Sequence, residues 1–177
     1  QHRQALRGRF MNDPKRKSPS RAVAARHAAR LAAVQALYQM EIADRSAAAV
    51  IAEFDADRLG LGPDGEPLEQ ADGDLFRLVV RGVVDEQATI DKSLSEVLAA
   101  GWRLERVDSI ARAILRAGCF EISNRTDIPV AGLIEAYVEL AHQFLDEPAP
   151  GFVNGALDSL ARKIRPGALE AQKASQN

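Results

Sequence analysis

From Ala24 onward, apolar residues recur at spacings of three and four, through Ala28, Leu31, Val34, Leu37, Tyr38 and Ile42. This pattern predicts an amphipathic helix beginning at Arg21, with Ser20 as its N-cap. A second helix is predicted over Ser46 to about Leu59 on Val50, Ile51 and Phe54. Beyond a polar loop from Gly60 to Gly73, a long third helix is expected from about Asp72 to Leu98, with Leu75, Leu78, Val79, Val83, Ile90, Leu94 and Val97 turned inward. Gly101-Trp102 interrupts the period, and a short turn over Leu104 to Val107 leads into a helix from about Asp108 to Ser123. Asp127-Ile128-Pro129 reads as the start of the next helix. That helix has the cleanest stripe: Val130, Leu133, Ile134, Tyr137, Val138, Ala141, Phe144 and Leu145. Pro148 and Pro150 are expected to end it, and a last helix runs from Phe152 to about Ile164, closed by Pro166-Gly167. No segment alternates with period two, so the expected fold is an all-α bundle of about seven helices, with a division into two packed sub-bundles permitted but not required.

Composition narrows the class. Of 177 residues 46% are hydrophobic and only 5% aromatic, so a core exists and is built from Ala, Leu, Val and Ile. Cys119 is the single cysteine, which leaves neither a disulfide framework nor a multi-thiolate zinc module. No apolar run reaches the roughly 18 to 20 residues needed to cross a bilayer, and no apolar signal segment opens the chain; a cytoplasmic protein is expected. The net charge of −2 conceals a sharp segregation. Residues 1 to 30 carry nine Lys/Arg against Asp13 alone, a net of +8, so the other 147 carry −10. A cationic end on an anionic body is what a polyanion-binding arm looks like, since clustered cations attract phosphates and displace counterions. Residues 1–20 are expected to form a flexible basic arm, 21–166 a single helical domain, and 167–177 a flexible tail.

Within this charge, Arg26 and Arg30 lie four apart, which puts two guanidinium groups on one face of the first predicted helix. Arg77 and Arg81 repeat the spacing and read as a solvated face. Other chemistry fails on context. Gly60 to Gly65 spells G-x-G-x-x-G, yet no strand precedes it and Glu66-Pro67 follows where a helix should start. Glu139 and His142 form one Glu-x-x-His pair where a di-iron bundle needs two. Cys119 reads as a small core residue. No catalytic residue, metal site, cofactor or small-molecule substrate is expected, and the balance favours a binding protein over an enzyme.

Three segments in order carry a resemblance. Ala25-Arg26-His27-Ala28-Ala29-Arg30 leads into Val34-Gln35-Ala36-Leu37-Tyr38; Arg112 to Ala117 leads to Phe120-Glu121-Ile122; and Asp127-Ile128-Pro129 is followed by Phe152-Val153-Asn154-Gly155-Ala156-Leu157-Asp158 and Ile164-Arg165-Pro166. Together they resemble the NusB family of transcription antitermination factors over roughly residues 22 to 166. The resemblance implies an all-helical RNA-binding factor that pairs with a small-subunit ribosomal protein, NusE. The pair binds boxA RNA of nascent ribosomal RNA transcripts and joins the RNA polymerase elongation complex. It implies RNA contacts at Arg26 and Arg30, with Arg21 and Lys17 as extensions, and partner contacts at Tyr38 and Asp108. Phe152 is left between two roles, a ring that stacks on a base and a core anchor. Two features depart from the family pattern. His27 and Ala28 stand where further arginines are common, and Pro148-Ala149-Pro150-Gly151 replaces a more polar approach to Phe152. The competing function is a helical protein-interaction module without specific RNA binding.

Overall fold

A computed structural model describes residues 20–59, 64–65 and 70–170. The arm with Lys17, most of the glycine-bearing loop and the last seven residues lie outside this set. Among the described residues there is no strand, and no helix is long and apolar enough to cross a membrane.

The first helix, α1 (Arg21–Ala43), starts where the Ser20 hydroxyl accepts from the Val23 N–H. It ends at Asp44, whose left-handed φ of 51° is tolerated by a short polar side chain. Its middle is buried on nearly every side, from Ala28 to Leu37 with only Gln35 less enclosed. Alanines allow this, because neighbouring helices can close in on a backbone with no bulky side chains. Thus α1 is a central rod of the bundle rather than a surface helix with one apolar stripe.

Ser46 caps α2 (Ala47–Glu53), which runs into a single π turn at Phe54–Arg58. Here the Phe54 ring stacks on Phe76 at 5.5 Å. The predicted third helix is two helices, α3 (Gly73–Asp85) and α4 (Gln87–Val97), broken at Glu86 with φ −108° and ψ 13°. Periodicity could not show this, because Val83 and Ile90 stay in phase across the break. The bend lets Leu75, Phe76, Val79, Val80 and Val83 face α1 while α4 turns Ile90 and Leu94 towards helices later in the chain. Glu86 is held there by the Asn124 side-chain amide at 2.9 Å. Gly82, one turn earlier, lies so close to the Phe120 ring that a Cβ would sit 2.2 Å from it.

A 3₁₀ turn at Leu104–Arg106 precedes α5 (Ser109–Asn124), the hub that packs on α1, α3 and α4 and on the last two helices, α6 (Val130–Phe144) and α7 (Ala149–Ile164). The prolines expected to stop α6 instead start α7: Pro148 is its N-cap and Pro150 lies in its first turn, where a missing N–H costs nothing. Nor does the chain leave the body at Gly167. Ala168 and Leu169 pack on the core, and Glu170 accepts from Arg162 at 2.6 Å. The buried apolar residues form one continuous cluster. Cys119 is inside it, and burial pushes its thiol up to about 11.

Candidate nucleic-acid interface

The start of α1 offers two cations. Arg21 is exposed and Arg26 half-buried, and neither makes an ion pair or side-chain hydrogen bond among the described residues. Arg26 lines an open groove of about 590 Å³ with Val23, Arg30, Arg125, Gly132 and Glu139, where α1 meets the α5–α6 connection. Asp127 and Glu135 also line it, so the groove is electrically mixed rather than uniformly basic. His27 Nε2 lies within 3.1 Å of the Gln143 side-chain oxygen on α6.

Arg30 does not join them. One turn deeper along α1 it is 7% exposed, and its guanidinium forks onto Glu121, Nε to Oε2 at 2.7 Å and Nη2 to Oε1 at 3.0 Å. Glu121 is wholly buried on α5, and the Tyr137 hydroxyl of α6 donates to the same carboxylate. Arg30 also lies 5.9 Å from the centre of the Tyr137 ring. Burial works against the Arg30 charge, but the hydrogen bond and opposite charge of Glu121 outweigh it, and the pKa moves up. The expected phosphate contact at Arg30 is therefore corrected: the helix face is the one foreseen, but α5 and α6 cover it and its charge is spent inside.

Burial first, and then the Glu121 charge, raise the Tyr137 phenol well above its ordinary value of 10.0. The native state thus keeps this proton where the unfolded chain releases it. Stability is whole below pH 10 and falls as pH climbs beyond it, since the unfolded state then binds fewer protons. Tyr137→Phe is expected to flatten this alkaline loss, read as urea midpoints from pH 8 to 11; an unchanged slope would remove Tyr137 from the account.

The second arginine cluster was not foreseen, although Arg112 and Arg116 stand four apart on one predicted helix. Arg112, 7% exposed, donates from Nη1 to the carbonyls of Leu104 at 3.1 Å, Glu105 at 3.3 Å and Val107 at 2.6 Å. Its Nε and Nη2 engage Glu41 at the end of α1. Arg116 bridges Glu41 at 3.2 Å and forks onto Asp91 of α4 at 2.8 and 3.0 Å. Arg77 is likewise paired, to Asp55 and Asp74 at 2.9 Å each.

A match to the NusB family model spans residues 27–162. This chain belongs to the NusB family. It is 46% identical over 155 residues to the transcription antitermination protein NusB of Rhizobium johnstonii, covering 88% of this chain and 97% of that one. The Caulobacter vibrioides NusB is 51% identical over 140 residues, 79% and 94% of the two chains. Among solved structures, T. maritima NusB aligns at TM-score 0.66 with 27% identity, covering 88% of this chain and 99% of its own. A structure of antitermination factors NusB and NusE in complex with dsRNA aligns at TM-score 0.65 and 20% identity over 77% and 96%, a likeness of fold.

Against the NusB pattern, the remaining expected residues separate. Tyr38 is half-buried near the end of α1. Asp108 is exposed, but its Oδ1 caps α5 by accepting from the N–H groups of Ile110 at 2.9 Å and Ala111 at 3.1 Å. Phe152 is half-buried against the core at the start of α7, and Trp102 lies on it with ring centres 5.5 Å apart. In the sequence, Trp102 stands out only as a break in periodicity.

Proposed function

We propose that this chain is a transcription antitermination factor that binds boxA RNA of nascent ribosomal transcripts together with the ribosomal protein NusE, within the RNA polymerase elongation complex in the cytoplasm. Its membership of the NusB family, with antitermination proteins at 46 to 51% identity, carries the reading. The shared fold with a NusB solved with NusE and dsRNA supports the choice of partners. The role is binding, without catalysis.

Arg26 and Arg21 serve as phosphate contacts, extended by Lys17 of the arm, and Phe152 contributes to the base-contacting surface as the ring that supports Trp102; Tyr38 and Asp108 face the protein partner. Phosphate contacts supply affinity and position, while base contacts and the partner's surface supply preference. Removing one cation from a single strand's phosphates lowers the slope of log K against log salt by about 0.7. Arg26→Ala is expected to weaken binding of labelled boxA RNA and of a scrambled control alike and to flatten the slope by about that amount. Fluorescence anisotropy across a salt series measures both. Wild-type affinity and slope in the variant would take Arg26 out of the interface.

A further inference from the structure

Trp102 is the chain's single tryptophan and is 57% exposed. Its ring is backed by Phe152 at 5.5 Å with planes inclined by 32°. Phe152 packs against the core, so the pair presents an anchored ring beneath and an open indole above. The following turn supplies two cations. Arg103 and Arg106 are exposed, and neither has an ion pair or side-chain hydrogen bond among the described residues. Arg103 is the extended N-cap residue of the 3₁₀ turn and Arg106 its last residue, and the Arg106 N–H donates to the Arg103 carbonyl at 3.0 Å. Of the acids in this segment, Glu105 is exposed and Asp108 is engaged in capping α5.

The segment is held in place from within. Gly101 takes a φ of +89°, open to glycine at little cost, and the Trp102 N–H closes the turn onto the Ala99 carbonyl. Leu104 and Val107 are buried, and Arg112 holds three of the turn's carbonyls. A ligand meeting this surface therefore orders little that is not already ordered. Among the described residues the other large exposed apolar side chains, Val23, Ile42, Leu78 and Val84, are on α1 and α3, so cations rather than an apolar rim flank Trp102 along its own segment. Aromatic rings beside guanidinium groups fit single-stranded nucleic acid, in which every base offers a π face.

We propose that Trp102, backed by Phe152, stacks an unpaired base of single-stranded RNA while Arg103 and Arg106 hold the adjoining phosphates. The inference rests on the RNA-binding reading above and adds to it a surface on the α4–α5 connection. Being the sole tryptophan, Trp102 reports on itself. The full chain bound to NusE is titrated with a boxA RNA oligonucleotide, with the Trp102→Phe complex as the emission blank and anisotropy of labelled RNA measured in parallel. Tryptophan quenching should saturate with the anisotropy curve. Trp102→Ala should weaken binding roughly 5- to 150-fold, the range for losing one stacked base, and Trp102→Phe should restore most of it. The double variant Arg103→Ala/Arg106→Ala should flatten the salt slope. Wild-type affinity in a folded Trp102→Ala protein, with emission unmoved by RNA, overturns the stacking role; if Arg26→Ala still weakens binding, the RNA reading stands. Emission that responds to NusE alone and no further to RNA gives the ring to the protein partner and also overturns it. A wild-type complex that binds no RNA overturns both.

Discussion

Arg30→Ala is expected to destabilise the protein by about 3 to 5 kcal/mol, the usual consequence of removing one partner from a buried ion pair. The cause is the charge left behind. Glu121 has no solvent access, and without Arg30 it keeps only the Tyr137 hydroxyl and a 3.4 Å approach from Arg125. Because domains are stable by only about 5 to 15 kcal/mol, such a loss is a large fraction of the whole. Urea denaturation followed by circular dichroism measures it. The double variant Arg30→Ala/Glu121→Ala should cost less than the sum of the singles, since deleting the carboxylate removes the uncompensated charge. A folded Arg30→Ala protein should also keep the wild-type salt slope for RNA. The opposite pattern, unchanged stability with a flattened slope, would return Arg30 to the phosphate-binding set.

Arg112→Ala should cost about 3 kcal/mol, because it strands buried carbonyls on the turn before α5 as well as the Glu41 carboxylate. Arg112→Lys is not a rescue: an ammonium group lacks the planar fork that reaches three carbonyls and a carboxylate at once. A second readout separates a local effect from a global one. Trp102 sits on the segment that Arg112 pins, so its emission anisotropy should fall in the folded variant before any unfolding. A variant with the wild-type denaturation midpoint and unaltered Trp102 anisotropy would show that the turn holds itself.

These arginines show where reading a sequence stops. Periodicity places Arg26 and Arg30 on one face of α1, and they are there. Which part of that face meets solvent depends on α5 and α6, contributed by residues some ninety to a hundred positions away, and nothing local to α1 encodes it. Arg112 and Arg116 also stand four apart, but no local pattern announces their acceptors, which are carbonyls and carboxylates on three other segments. The break at Glu86 was hidden for a related reason, since apolar phase runs through a bend that keeps the same stripe inward. The prolines at 148 and 150 were misplaced because proline ends one helix and begins another with the same chemistry.

By itself the sequence determined the helical class, most of the helix starts, most of the apolar stripes, with Ile42 and Leu78 exposed against expectation, the family and the cationic lead into α1. These are local or patterned properties, in which the backbone's hydrogen bonding and the 3.6-residue period act over a few turns. Tertiary structure alone decided which charges are free. A guanidinium on the surface is a phosphate ligand, while the same group covered by another helix must find a carboxylate or carbonyls to remain charged away from water. For Arg30 and Arg112 that choice was made by the packing of α5 on α1. Packing on α7 likewise set Trp102 above Phe152 as an anchored ring.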